Sequence, residues 1–424
     1  MKKTKELTTL QRLGDNFASL VTLQIVNYLL PLLLIPYLIR ILGIESFGIY
    51  SFILAIIMYG VKMSDYGFEL SATYHISLNR DKQEKLNEIF SSVLSIKLLI
   101  SFAYLIIITL SIFFIDRLFN YKAFIFLSFG VLFGYVMFPV WLFQGMERMR
   151  YIMYLNGLSK LLFFVSVFIF VKSESDLYLL MLLNSVSMLI MGIFALYVAL
   201  KDFNITFSFQ AWDRLVFYLK DGWYIFTSKF AVEFYTTANI IILGFFATPL
   251  VVGYYAVSIK IIHALGSLLE PLTRTVYPYL IGVYKTSNAN FILRNKQLGA
   301  VIFLIMLPIS FLVWYFSASI LDLITGEEVA SLNIEILQVF SFSLVVYLYG
   351  TQFTNMLVTI KKTKILNQIL FLAAGINVLF SPLLVYYFGV MGMVWLSVSL
   401  AFFMMFLKLY YLVSFFKKKP NIEL

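Results

Sequence analysis

The feature that most constrains this chain is a series of predominantly apolar runs, each ~20 residues long or more, recurring from end to end. They lie at about 17–39, 46–68, 91–115, 123–144, 151–171, 177–200, 222–245, 249–271, 298–321, 334–358, 365–388 and 392–414. Each is too long for a buried strand and long enough to cross a hydrocarbon core ~30 Å thick as a helix. The polar breaks between them are short. The sequence therefore predicts an all-α polytopic membrane protein of about twelve transmembrane helices, with no large soluble domain. Composition agrees: 61% of the residues are hydrophobic and 13% charged, against about a quarter charged in soluble domains. Pro31, Pro36, Pro271, Pro308 and Pro382 fall inside the runs and are expected to kink their helices. Met1 to Asp15 is polar, which predicts no removable signal peptide.

The net charge of +10 would suggest nucleic acid on a soluble chain. Its distribution says otherwise. Lys2, Lys3, Lys5 and Arg12 lie in the N-terminal tail, and Lys417, Lys418 and Lys419 in the C-terminal one. Alternate loops carry Arg80, Lys82 and Lys85; Arg148 and Arg150; Lys201, Arg214 and Lys220; Lys285, Arg294 and Lys296; Lys361, Lys362 and Lys364. The remaining loops hold only Arg117, Lys122 and Lys172. By the positive-inside rule both termini are cytoplasmic, the span count is even, and no nucleic-acid partner is expected.

The polar break at 201–221 carries Phe207, Phe209, Trp212 and Leu215 among charges and reads as a cytoplasmic interfacial linker. It divides the chain into two six-helix lobes, 1–200 and 222–424. A faint repeat supports this. Leu42-Gly43 followed by Gly48-Ile49-Tyr50 returns as Leu243-Gly244 followed by Gly253-Tyr254-Tyr255, which lays Asp65 on Glu270. Two parallel halves of this kind place a substrate site in a central cavity between them.

Hydrolytic and redox chemistry have no support. The absence of cysteine excludes disulfides, thiolate metal sites and a cysteine nucleophile. The two histidines, His75 and His263, lack metal-ligand spacing, and there is no phosphate-binding GxxxxGK[ST] loop. The chain reads as neither an enzyme nor a cofactor-binding protein.

Charges inside the spans are the informative residues, because each is costly in lipid and faces a bundle interior or a watery cavity. Span 2 carries Lys62, Asp65 and Glu69, which on an ideal helix fall within about 60° of one another. Span 8 carries Lys260, His263, Glu270 and Arg274, and span 7 carries Lys229 and Glu233 one turn apart. Arg40 ends span 1; Lys97, Lys160 and Lys408 lie in spans 3, 5 and 12. The bases outnumber the acids, so the expected cavity is cationic and its guest an anion. A blander reading stands beside this one. Lys97, Lys408 and Glu69 lie near span ends and are open to snorkelling toward headgroups. Lys229 with Glu233, and Glu270 with Arg274, are open to pairing within their own helices. Arg40 is open to a role as an interfacial anchor, and His263 reads as an interior histidine.

Pro36-Tyr37-Leu38-Ile39-Arg40-Ile41-Leu42-Gly43, then Phe47-Gly48-Ile49-Tyr50, then Asp65-Tyr66-Gly67-Phe68 and Ser71-Ala72-Thr73 resemble the first two helices of the Wzx-type polysaccharide flippases. Trp141-Leu142-Phe143-Gln144-Gly145-Met146-Glu147 resembles that family's turn between helices four and five. The family moves O-antigen and capsule repeat units. It belongs to the superfamily of multidrug, oligosaccharidyl-lipid and polysaccharide exporters, with the lipid II flippases. The resemblance implies an undecaprenyl-diphosphate-linked oligosaccharide as substrate, flipped from the inner to the outer leaflet of the cytoplasmic membrane by alternating access. It also implies antiport coupling to a proton or sodium gradient, and a polysaccharide polymerase and chain-length regulator as partners. By motif, Arg40 and Asp65 carry over as functional candidates. The residues themselves extend the set: Lys62, Lys160, Lys229, Lys260, Arg40 and Arg274 as head-group binders, since a diphosphate needs cations in place of its water, and Asp65, Glu233 and Glu270 for ion coupling. A cation-coupled multidrug or metabolite exporter of the same superfamily is the alternative, though organic cations would favour an acidic cavity. A polymerase or ligase would show a large outer loop, and the site within one chain makes a monomer the default.

Overall fold

The computed structural model describes residues 30–326 and 329–418. The described elements are all helical: α1 (Leu30–Asp65), α2 (Phe68–Leu78), α3 (Gln83–Phe114), α4 (Asp116–Asn120), α5 (Lys122–Met137), α6 (Val140–Gly145), α7 (Met149–Phe170) and α8 (Leu177–Asp202). There follow α9 (Trp212–Glu233), α10 (Thr237–Phe246), α11 (Pro249–Ser267), α12 (Glu270–Thr286), α13 (Asn288–Tyr315), α14 (Ser317–Thr325), α15 (Ser331–Ser341), α16 (Ser343–Thr359) and α17 (Thr363–Lys418).

Among the described residues nine helical stretches are long and apolar enough to cross a membrane, and ten if α9 and α10 form one broken span. Two are far longer than a single crossing requires: Leu33–Leu78 with 46 residues and Thr363–Lys417 with 55. At 1.5 Å per residue the second is roughly 80 Å long against a ~30 Å hydrocarbon core. Each contains a glycine in a backbone conformation closed to other residues, Gly43 (φ 78°, ψ 158°) and Gly389 (φ 61°, ψ −150°). Counted as two crossings each, these stretches would bring ten to the twelve expected from sequence. The non-helical points are thus Gly43 and the Tyr66-Gly67 turn in the first stretch and Gly389 in the second, rather than the prolines expected to kink them. Pro271 lies in the first turn of α12, where its missing N–H costs nothing. The part of span 1 before residue 30 lies outside the described residues.

The described chain forms two compact units, one of residues 41–253 and one of residues 30–40 with 254–418. In the first, α5 and α8 pack through small residues. A Cβ on Gly192 would lie 2.5 Å from the Gly134 carbonyl and 2.9 Å from Met137 Cβ, and one on Gly130 would lie 2.6 Å from Ser185 Cβ. Close backbone approach of this kind replaces the hydrophobic effect as the force between helices in lipid. The segment 203–211 is non-helical, and Asn87 on α3 bonds Thr206 through both its oxygen (3.0 Å) and its amide (2.6 Å). Phe209 and Trp212 are exposed there. The second half of the expected linker is helical, because α9 starts at Trp212 and runs unbroken into span 7.

In the second unit α13, α15, α16 and α17 pack through side-chain to backbone hydrogen bonds. Tyr349 donates to the Gly299 carbonyl at 2.6 Å, Gln352 to Asn295 at 2.7 Å and Ser310 to Ser341 at 2.7 Å. Lys408, open to snorkelling on sequence grounds, is buried and donates to the Gly350 carbonyl (3.2 Å) and the Thr354 hydroxyl (3.0 Å). Those oxygens on α16 hold it inside the bundle.

The two glycines that the repeat lays on each other meet in the first unit. A Cβ on Gly48 would overlap the Pro249 carbonyl and lie 2.8 Å from the Gly253 nitrogen; one on Gly253 would overlap the Ile44 carbonyl. Both atoms approached are backbone and cannot swing away. Gly48→Ala is expected to lower the thermal unfolding midpoint of the detergent-solubilised protein, at an overpacking cost of about 1–3 kcal/mol. Gly282→Ala, whose Cβ meets nothing within 4 Å, should not lower it. Equal midpoints for the two variants would overturn the close crossing.

Candidate functional site

The motif Asp65-Tyr66-Gly67-Phe68 does not continue span 2 as an ideal helix. α1 stops at Asp65, and Tyr66 (φ 46°) and Gly67 (φ 77°) turn left-handed before α2 begins. The face shared by Lys62, Asp65 and Glu69 on an uninterrupted helix is therefore redrawn by the turn. Its cause is packing against α9. A Cβ on Gly67 would lie 2.7 Å from Ile225, and the Tyr66 ring stacks on Phe226 at 4.5 Å and 11°. Glycine is the residue that takes this conformation with no room for a side chain.

α9 runs antiparallel to span 2, and the contacts form a ladder of rings and charges. Tyr59 meets Phe230 at 5.0 Å and Phe234 at 6.0 Å. Lys62 pairs with Glu233 at 3.2 Å, Lys229 with Glu69 at 2.8 Å, and His75 with Asp221 at 3.0 Å. Span 2 thus contributes one base and one acid, and α9 one acid and one base, crosswise. The i,i+4 pairing of Lys229 with Glu233 within α9 is set aside for partners across the interface. Glu69 does not snorkel, because Lys229 and Gln144 both bond it.

The charges differ in access. Glu233 leaves 12% of its side chain open, while Lys62 leaves 48%. Glu69 and Lys229 are both about half open. Lys97 on α3 is 4% exposed, donates to the Tyr135 carbonyl at 3.4 Å, and has Asp65 and Glu69 as the acids acting on it. It points into the bundle and does not reach for a headgroup.

The two sequence motifs meet at this cluster. The Thr73 hydroxyl lies 3.2 Å from the Trp141 carbonyl and 3.3 Å from the Gln144 amide oxygen. A Cβ on Gly145 would press on Ile76, and Arg80 bonds the Gly145 carbonyl at 2.7 Å and Glu147 at 2.8 Å. α2 and α6 are thereby fixed side by side, with Gln144 aimed at Glu69.

Of the residues chosen from sequence, the structure brings together Lys62, Lys229 and Glu233, with Asp65 alongside. Lys160 is half-buried on α7, which packs on α8. Lys260 is half-buried on α11 in the other unit. Arg40, also in that unit, bonds the Leu323 carbonyl at the C-terminal end of α14 and lies against Gly326, where the helix dipole favours a cation. The side chains of Glu270 and Arg274 lie outside the described ones. Sequence reasoning left Lys97 open to snorkelling and missed Gln144 and the His75–Asp221 pair. Gln144 was visible inside a quoted motif, but its partners come from another helix. Among the described residues no three His, Asp or Glu side chains converge to hold a metal ion.

Comparison with known proteins places this arrangement. The signature of the family "Polysaccharide biosynthesis protein" matches residues 13–282, and that of MatE matches residues 273–383. Two relatives carry the name "Putative O-antigen transporter". The one from Escherichia coli (strain K12) is 36% identical over 63% of this chain and 64% of its own length, so slightly less than two thirds of that relative is spanned. The one from Shigella dysenteriae is 30% identical over 87% of this chain and 92% of its own. Among solved structures, the lipid II flippase MurJ in an inward closed conformation matches with a TM-score of 0.76 at 13% identity, over 93% of this chain and 87% of that one. An inward-facing multidrug resistance MATE family transporter of the MOP superfamily matches at 0.71 and 16%, over 96% and 99%. At these identities the two structures establish the fold.

The absence of native cysteine makes the α2–α9 contact directly testable. A Cβ on Gly222 would lie 3.6 Å from Ser71 Oγ, within reach of a disulfide. Ser71→Cys with Gly222→Cys is expected to cross-link in membranes under mild oxidation, and Ser71→Cys with Gly157→Cys, whose Cβ meets nothing within 4 Å, is not. Failure of the first pair to cross-link would contradict the ladder.

Proposed function

Because the chain belongs to the polysaccharide biosynthesis protein family, matched here over residues 13–282, we propose that it is a flippase for lipid-linked oligosaccharides. It is a multi-pass membrane protein, and its relatives are transporters rather than enzymes. The substrate is an oligosaccharide repeat unit on undecaprenyl diphosphate, carried from the cytoplasmic to the outer leaflet of the inner membrane for O-antigen or capsule synthesis. Two six-helix lobes, 1–200 and 222–424 joined by 201–221, alternate access to it, both termini stay in the cytoplasm, and a proton or sodium gradient supplies the drive. A polysaccharide polymerase and a chain-length regulator are its working partners. The observation that carries this reading is the 30% identity, over 87% of the chain, to the Shigella dysenteriae relative named "Putative O-antigen transporter".

The site chemistry supports it. A diphosphate entering a low-dielectric bundle must exchange water for cations. Lys62 and Lys229 are about half open and held by carboxylates that an incoming anion can displace. Lys160, Lys260, Arg40 and Arg274 are the further head-group cations of this reading, and Asp65, Glu233 and Glu270 its coupling carboxylates. The lipid tail stays in the bilayer while the head group crosses.

In a strain deleted for this protein, surface polysaccharide is expected to vanish and the lipid-linked unit to accumulate on the cytoplasmic side. Wild type should restore both. Lys62→Ala or Lys229→Ala, expressed at equal level, should restore roughly a tenth or less, since a charge-assisted contact contributes about 1.5–3 kcal/mol. Normal surface polymer in the deletion strain, with altered sensitivity to cationic dyes, would favour the multidrug exporter instead.

A further inference from the structure

The second compact unit holds a site of a different character from the charged ladder. α12, the first half of α13 and the last turns of α16 surround a partly open space of about 260 Å³. Its polar lining is Thr273, Tyr277, Asn295, Gln352, Asn355 and Thr359, and the rest is apolar. Among the described residues none of the lining side chains is a carboxylate, an ammonium or a guanidinium.

One atom in this lining lacks a partner. Gln352 is 3% exposed. Its amide donates through Nε2 to the Asn295 carbonyl at 2.7 Å and lies 3.4 Å from the Asn295 side-chain oxygen. A backbone carbonyl can only accept, so that bond fixes which end of the amide is nitrogen. The other end, Oε1, is buried and has no donor among the described residues. A buried acceptor left unmatched is costly, so a guest that brings a donor is favoured there. Thr359 points the same way. Its hydroxyl donates to the Asn355 carbonyl at 2.8 Å, which leaves its lone pairs free to accept.

These features select the guest. It must donate hydrogen bonds, which an ionised diphosphate cannot do. A hard cation would want carboxylates around it. A sugar ring meets every demand: its hydroxyls donate and accept, and its C–H face packs on apolar walls and on the Tyr277 ring. The space is smaller than the ~300–1,000 Å³ of drug-sized pockets, which limits it to one ring. Lys285 ends α12, and Lys361 and Lys362 follow α16. By the positive-inside rule this end faces the cytoplasm, where the repeat unit is loaded.

We propose that this space is a sugar subsite, which takes one uncharged glycosyl ring of the repeat unit with a ring hydroxyl donating to Gln352 Oε1. This rests on the proposed function and adds where sugar identity is read. The ladder of α9 and span 2 answers a charge common to every lipid diphosphate. Neutral groups in fixed positions distinguish one sugar from another, because a site built to bond a hydroxyl rejects a ring that lacks it.

The test compares two lipids on the full chain in nanodiscs, with binding read by native mass spectrometry. One is the lipid-linked repeat unit extracted from the deletion strain. The other is undecaprenyl diphosphate, which carries the charge without the sugar. Gln352→Ala should weaken binding of the repeat unit about fivefold or more and leave that of undecaprenyl diphosphate within about twofold. Thr359→Val should act in the same direction. It keeps the Gln352 bond to Asn295 and so reads the same point should Gln352→Ala fail to fold. Lys62→Ala should weaken both lipids alike. Equal losses for both lipids in the Gln352 and Thr359 variants would make the cluster a packing device. Unchanged affinity for the repeat unit would make the space a water site, and losses seen only with sodium would make it a cation site. Each of these outcomes overturns the subsite and leaves the flippase reading standing. No accumulated repeat unit, or no binding of it by wild type, removes both.

Discussion

Charge in hydrocarbon must find a partner, and most of the functional architecture in residues 41–253 follows from that. An isolated lysine or aspartate at the centre of a spanning helix costs ~2.5–3.5 kcal/mol on insertion scales. The chain meets this by crossing partners between helices, Lys62 to Glu233 and Lys229 to Glu69. Each pair fixes register as well as neutralising charge, because a one-turn slip of α9 would break both at once. Lys97 and Lys408 follow the same rule with carbonyl and hydroxyl oxygens as partners.

The motifs that look separate in sequence are one structural unit. Thr73 at the end of the first meets Trp141 and Gln144 in the second, and Gln144 turns to Glu69. Gly67 and Gly145 let backbones approach where a side chain would collide. The strained turn at Tyr66 and Gly67 then makes sense: it keeps the Tyr66 ring on Phe226 while letting α2 reach α6. Local irregularity in lipid is tolerated where protein covers it, and functional spans are built from such irregularities.

Span 7 is the second irregular helix, and its break coincides with the most buried acid of the ladder. A threonine and an asparagine hold open the ladder that proline would have broken in a soluble helix. A break maintained by side-chain hydrogen bonds is reversible in a way that a proline kink is not. Glu233 lies across it, taking Thr237 with one carboxylate oxygen and Lys62 with the other.

The sequence by itself determined the solvent and the class. Apolar runs of membrane length, basic residues in alternate loops and the absence of cysteine leave a polytopic helical membrane protein and exclude thiol-based chemistry. It also marked Lys62, Lys229 and Glu233, because charge in an apolar run is visible without any structure. Only the tertiary structure decided who pairs with whom. Lys229 and Glu233 are a turn apart and suited to each other on paper, yet each takes a partner on span 2. Arg40, marked by motif, meets the end of α14. Periodicity fixes which face of one helix a residue occupies; the partner depends on which second helix lies against that face, and on breaks such as Tyr66-Gly67 that reset the angle.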